Sequence, residues 1–212
     1  NDYRWFLRSL LLSMNDWAIN ADKLPPPSRY PRISDGTLVP LEQVRFPTVG
    51  HVTLPTDVSR AYRLDYGHQF ESEGIITREP PGILSVFPFL VPQVDDSGNE
   101  LAGLRSPDLT VPLATYTGWN NFRPESGPMD VLSSMQGSYI PFLRTRTQRD
   151  QRGDARPSIE ERYHSRAEYL GHVSDAALAL LEDGYLLAGD LAPILTQAGR
   201  HWDYLMEEDS DQ

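Results

Sequence analysis

"SVFPFLVPQVDDSGNELAGLRS", residues 85–106, decides how the chain is read. Two apolar pieces flank Asp95–Asn99, and Gly98 stands where a tight turn calls for positive φ, so the stretch predicts a β-hairpin. Pro88 and Pro92 are an even number of residues apart. Both missing N–H groups therefore face the same side, which puts this strand at a sheet edge or makes it irregular. Downstream, "LTVPLATYT" (109–117) is read as a third strand. Upstream, between residues 33 and 81, the pattern is weak: Asp35–Thr37 reads as a turn and "GIITRE" (74–79) as an edge strand.

Proline usage frames this β region. Of 18 prolines, 17 lie between Pro25 and Pro157, so no long helix fits there. Before it, "NDYRWFLRSLLLSMNDWAIN" has Asn1 and Asp2 as candidate N-caps and places Tyr3, Phe6, Leu7, Leu10, Leu11, Met14 and Trp17 at helical spacing. That stripe is wide enough to want cover on more than one side, and "PPPSRYP" then sends the chain into an extended path. After the prolines, Ser158 with Glu161 and Ser165 with Glu168 match the capping box. Tyr169, Val173, Ala176, Ala177 and Leu180 form the buried face of a helix near 166–183 that Gly184 can end. A last helix starts at Asp190 as N-cap, carries Pro193 in its first turn, and runs through Ile194, Ala198, Trp202 and Leu205 to about 206.

The expected class is α+β, in three parts: a helix over 1–22, a proline-rich extended and β segment over 23–157, and a helical segment over 158–212. The last part ends in the acidic "EEDSDQ", read as a solvated terminus.

Bulk chemistry narrows the partners. The 212 residues carry 19 Lys and Arg against 30 Asp and Glu, a net charge of −11. Binding a polyanion relies on neutralising phosphates with a basic surface, so neither nucleic acid nor an anionic membrane is expected as a partner. No apolar run approaches the ~20 residues of a membrane span, and no signal-peptide pattern opens the chain. Cysteine is absent, which removes thiolate chemistry and leaves the compartment open.

A catalytic centre is hard to find. There is no G-x-S-x-G elbow; the nearest string, "QGSYIP" around Ser138, lacks the second Gly. The histidines are His51, His68, His164, His172 and His201, with no i, i+4 pair and no H-E-x-x-H, so no metal site is expected. His68 in "DYGHQF" reads as a turn histidine, and His164 and His172 fall on either side of the break at Ser165. Phosphate loops are missing and no cofactor is implied. What does look like a site wall is "VPLATYTGWNNFRP" (111–124), where aromatic faces, amides and a hydroxyl crowd a stretch that Gly118 lets bend.

The strings "PPPSRYPRISDGTLVP" (25–40), "GIITREPP" (74–81), "FPFLVPQVDDSGNELAGLRSPDLTVPLATYTGWNNFRP" (87–124), "GSYIPFLRTRTQR" (137–149) and "RPSIEERYHSRAEYL" (156–170) resemble, in the same order, the C-terminal portion of a bacterial family of α/β-hydrolase domain proteins. The resemblance implies a serine ester or amide hydrolase whose elbow and histidine loop lie upstream of Asn1. It also implies that the first helix belongs to the hydrolase core. No triad residue carries over to this chain, which alone is expected to be inactive, and a chain beginning at Asn1 is expected to be processed or cut from a longer product. The partner would be the upstream hydrolase domain, from the same gene product or a companion chain, and the substrate a small ester or amide. Within the wall, Tyr116 and Trp119 would enclose an apolar acyl or ring group and Asn120 would supply a hydrogen bond. The plain alternative makes Trp119 a core anchor. Two other readings stay open: a non-catalytic module that stacks carbohydrate or another ligand on Tyr116 and Trp119, or an inactive fragment. A periplasmic or secreted parent is compatible with all of these.

Overall fold

The computed structural model describes residues 2–50, 52–56, 58, 60–121, 132 and 136–207. His51, the Phe122–Pro124 end of the aromatic stretch and residues 208–212 of the acidic tail lie outside these. The elements in chain order are α1 (Arg4–Ile19), β1 (Leu38–Val39), β2 (Tyr62–Asp65), α2 (Phe70–Glu73), β3 (Gly82–Val86), β4 (Val91–Pro92), α3 (Pro107–Thr110), β5 (Ala114–Thr117), β6 (Ser138–Pro141), α4 (Arg146–Arg152), α5 (Ile159–Arg162), α6 (Arg166–Glu182) and α7 (Leu191–Met206). The strands form three two-stranded antiparallel sheets among the described residues: β1 with β4, β2 with β3, and β5 with β6. The class is α+β, as the sequence pattern indicates.

The core belongs to the C-terminal helices. Tyr169, Val173, Ala177 and Leu180 of α6 pack against Ile194, Ala198, Trp202 and Leu205 of α7, with Leu113, Phe142 and Ile159 closing the end. Each helical residue recurs at three- or four-residue spacing, which keeps one face toward the partner helix. Tyr169 stacks on Trp202 with ring centroids 5.2 Å apart. Capping follows the sequence closely but not completely. Glu161 accepts from the Ser158 backbone N–H at 2.9 Å, and the Glu168 amide donates to Ser165 Oγ at 3.1 Å. Asp190 occupies the N-cap position of α7 without capping it; its carboxylate is buried and pairs instead with Arg8 of α1. A charge from another element outcompetes the local amide. Thr145 and Gln148 make a further capping box at the start of α4, a helix the sequence reading does not contain.

At the head, α1 turns only Phe6 and Ser9 fully inward, with Trp5 and Leu10 partly buried against the core. Asp2 accepts from the Arg4 amide at 3.0 Å, although the N-cap position itself is Tyr3. The wide apolar stripe is mostly bare: Tyr3, Leu7, Leu11, Met14 and Trp17 are 47–68% exposed.

The proline-rich middle departs from expectation in its pairing. The turn at Asp95–Asn99 forms, with the Gly98 amide donating to Asp95 O and φ of 78° at Gly98, but across it only Val94 and Glu100 make a β-bridge. Its intended first strand is divided. Residues 82–86 pair with β2 and residues 91–92 with β1; Pro88, which has no ladder donor, falls between the two pieces, and Pro92 is the last residue of the second. The edge strand expected over 74–79 is not one: Gly74 adopts a left-handed conformation and the strand begins at Gly82. Of the third strand expected over 109–117 only 114–117 is a strand, since Leu109 and Thr110 end α3, and β5 takes β6 as its partner, not the hairpin.

Candidate functional site

Strand β5 carries the aromatic stretch, and its two faces meet different surroundings. Alternation sends Thr115 and Thr117 to one side and Tyr116 to the other. On the first side Thr115 is fully buried; its hydroxyl donates to Ser97 O and accepts from Arg156 Nη1 at 2.7 Å. Arg156, 2% exposed, also clamps Asp154 through Nε at 2.9 Å and Nη2 at 2.6 Å, and donates to Ile140 O of β6 at 3.0 Å. Burial would raise the Asp154 pKa, but hydrogen bonds from the Arg156 side chain and backbone win and hold it below the usual carboxylate value.

The Asp95–Asn99 turn is docked on the same strand. Asn99 has no solvent exposure; its Nδ2 donates to Ala114 O at 3.1 Å and its Oδ1 accepts from the Tyr116 amide at 2.8 Å. One side chain thereby replaces a missing strand partner. Gly98 could not carry a Cβ here, since that atom would sit 2.9 Å from Thr115 Cγ2.

Beyond β5 the chain bends at Gly118, outside the left-handed region, and Trp119 is held by its backbone. Its carbonyl accepts from Thr117 Oγ1 and from Ser138 Oγ, the latter at 2.9 Å. The Trp119 ring meets Phe46 edge to face at 5.5 Å. Together they wall a cleft of about 230 Å³ bounded also by Val44, Val91, Pro92 and Tyr116, with Glu100 at its border. Desolvation raises the Glu100 pKa.

The three residues singled out in the sequence are thus separated. Trp119 presents its ring beside the cleft. Tyr116 borders the cleft, but its ring lies against Tyr139, 5.5 Å between centroids, on the opposite face of the strand pair. Asn120 is half-buried and not part of the cleft lining. On the Tyr116 side, Tyr139 OH is 2.7 Å from His201 Nε2. Desolvation raises the Tyr116 pKa, with Asp108, Tyr139 and Tyr169 adding to it, and pushes Tyr139 up to about 12. Desolvation also lowers His201 against the opposing pull of Asp108. Sequence reading misses this grouping because Asp108, Tyr139 and His201 come from three elements far apart in the chain.

The other candidates are dispersed. Ser138 lies on β6 with its hydroxyl spent on Trp119 O, and His68, His164 and His172 are exposed. The described lining of the cleft contains neither serine nor histidine. Among the described residues no three His, Asp or Glu side chains gather as a metal ion would require, and no helix is long and apolar enough to cross a membrane. The arrangement can hold an apolar group; among the described residues that line it there is no serine and no histidine to attack one.

Comparison with known proteins identifies the family. The model of a family described as alpha/beta hydrolase domain matches residues 2–196, and the chain belongs to that family. No curated protein and no solved structure matches it.

Proposed function

We propose, from that membership, that the chain is the C-terminal part of a serine ester or amide hydrolase. The catalytic body comes from an upstream domain of the same product or from a companion chain, and the head helix of 1–22 packs into it while 23–157 wraps it. The cleft beside Trp119 lines the substrate pocket. Trp119 encloses the acyl or ring group, Tyr116 stiffens the wall from behind, and Asn120 is the hydrogen-bonding group next to it.

One observation carries this reading: the apolar stripe of α1 is patterned as a core face and is bare. Leu11 is 61% exposed and Leu7 57%. A contiguous apolar face of this kind, on a helix whose other side is packed, marks a surface that another body covers. The β2–β3 arm adds further bare apolar surface, with Ile83 64% and Leu84 61% exposed.

The test is fluorophosphonate labelling with ester turnover. The chain alone should neither label nor cleave p-nitrophenyl esters; the complete protein should do both, with the label on a serine outside residues 1–212. Leu11→Glu in the complete protein should lower turnover at least about tenfold, the ~1.4 kcal/mol that one charge set into an apolar contact easily exceeds. Labelling of the isolated chain on one of its own serines would sink the reading.

A further inference from the structure

The cleft beside Trp119 contains one feature that a neutral acyl pocket has no use for. Among the described residues that line it, Glu100 is the single charged side chain; the rest are aliphatic and aromatic groups, prolines, glycines and one threonine. Glu100 is set there by its bridge to Val94 across the turn, and its carboxylate reaches over Gly118, where a Cβ would stand 3.9 Å from Oε1. No arginine, lysine or histidine among the described residues pairs with it. Other acidic groups of the middle segment have partners: Asp65 has Arg78 and Asp95 has Arg105, each at 2.6 Å. Glu100 is itself exposed at the mouth of the cleft, so its carboxylate meets water on one side and gives the apolar walls beside it a negative potential that favours a cation over a neutral group. Trp119 and Phe46 also line the cleft, and an aromatic ring attracts a cation that packs against its π face.

We propose that this cleft binds a small organic cation: a quaternary ammonium or protonated amine borne on a short apolar group, with the charge against Glu100 and the alkyl groups against Trp119 and Phe46. The volume of about 230 Å³ is sufficient for a head group of this size. A metal ion is disfavoured, since one carboxylate with no second oxygen or nitrogen ligand beside it cannot replace a hydration shell. As a statement about substrates it rests on the hydrolase reading above, and it narrows that reading to esters or amides with a cationic group. As a statement about binding it stands on the cleft alone.

The probes are choline and its neutral carbon isostere, 3,3-dimethylbutan-1-ol, titrated against the chain while the Trp119 indole NMR signal is followed, with Trp119→Phe to assign it. Choline should bind at least tenfold more tightly than the isostere, and Glu100→Gln should remove the difference. In the unaltered protein the preference should fade as pH drops through the raised Glu100 pKa, because protonation deletes the charge that makes it; Tyr116, the other titratable side chain of the lining, stays neutral throughout. Equal binding of the two probes, binding of neither, or a preference that survives Glu100→Gln overturns the proposal. Failure here is distinguishable from failure of the hydrolase reading. A complete protein that turns over neutral esters as well as their cationic counterparts removes only the statement about substrates, whereas cation binding without fluorophosphonate labelling of the complete protein removes only the hydrolase.

Discussion

The C-terminal helices and the β2–β3 arm are both rich in apolar residues, and they use them in opposite ways. In α6 and α7 the apolar residues interdigitate until Tyr169 is 1% exposed and Ala177 not at all. In the arm, Ile83, Leu84 and Val86 of β3 are exposed on both faces of a two-stranded ribbon. A helix pair can bury its two stripes against one another, whereas a two-stranded ribbon has no second layer and is marginal by itself. The difference teaches that this chain is stable where it completes its own layers and depends on something else where it does not.

The largest test of that contrast is electrostatic. Arg156→Met strands the buried Asp154 carboxylate and should cost about 3–5 kcal/mol in urea unfolding, while Arg78→Met, which breaks the partly exposed pair with Asp65 in the arm, should cost under about 1 kcal/mol. Comparable losses would erase the distinction between the buried body of the chain, here the Arg156–Asp154 pair behind β5 and β6, and the arm. Next in size is packing. Leu180→Ala should destabilise the chain by about 2–5 kcal/mol and Leu84→Ala by less than about 0.5 kcal/mol; a large cost at Leu84 would show that the arm is already covered.

The smallest effect is in the pH dependence of stability. The Asp154 pKa is lowered in the folded chain, so its contribution is fully present above the unfolded value of about 3.9 and is lost as pH falls through the folded one. An acid titration should show this loss at the low end of the carboxylate range, and Arg156→Met should flatten it. An unchanged acid profile in that variant would mean the pair contributes no linkage.

Local chemistry made much of the scaffold legible. The spacing of Tyr169, Val173, Ala177 and Leu180, the cap at Ser165 and the stop at Gly184 bracket α6 within a residue or so, and the turn around Gly98 follows from its need for positive φ. The capping signal Thr145–Gln148 that opens α4 is of the same kind and was equally readable. Other features were not. Arg156 reads as a surface charge until Asp154, Thr115 and Ile140 surround it. Asp190 has the right position for a cap, and only the arrival of Arg8, 182 residues away, turns it to another use. Trp119 is legible as a site-like aromatic, but Phe46 and Glu100, which make a cleft of its neighbourhood, come from distant segments.

The amino-acid sequence by itself determined the helices with their caps and stops, the turn at Asp95–Asn99, the acidic character, and the lack of a nucleophile elbow, because each is written in residues a few positions apart. The tertiary structure alone decided which strands pair, that Asn99 substitutes for a strand beside β5, that Arg156 is buried, that Tyr116 and Trp119 serve different surroundings, and that the apolar face of α1 stays bare. Each of these depends on partners tens of residues distant, and periodicity says which face of an element is apolar without saying what will cover it.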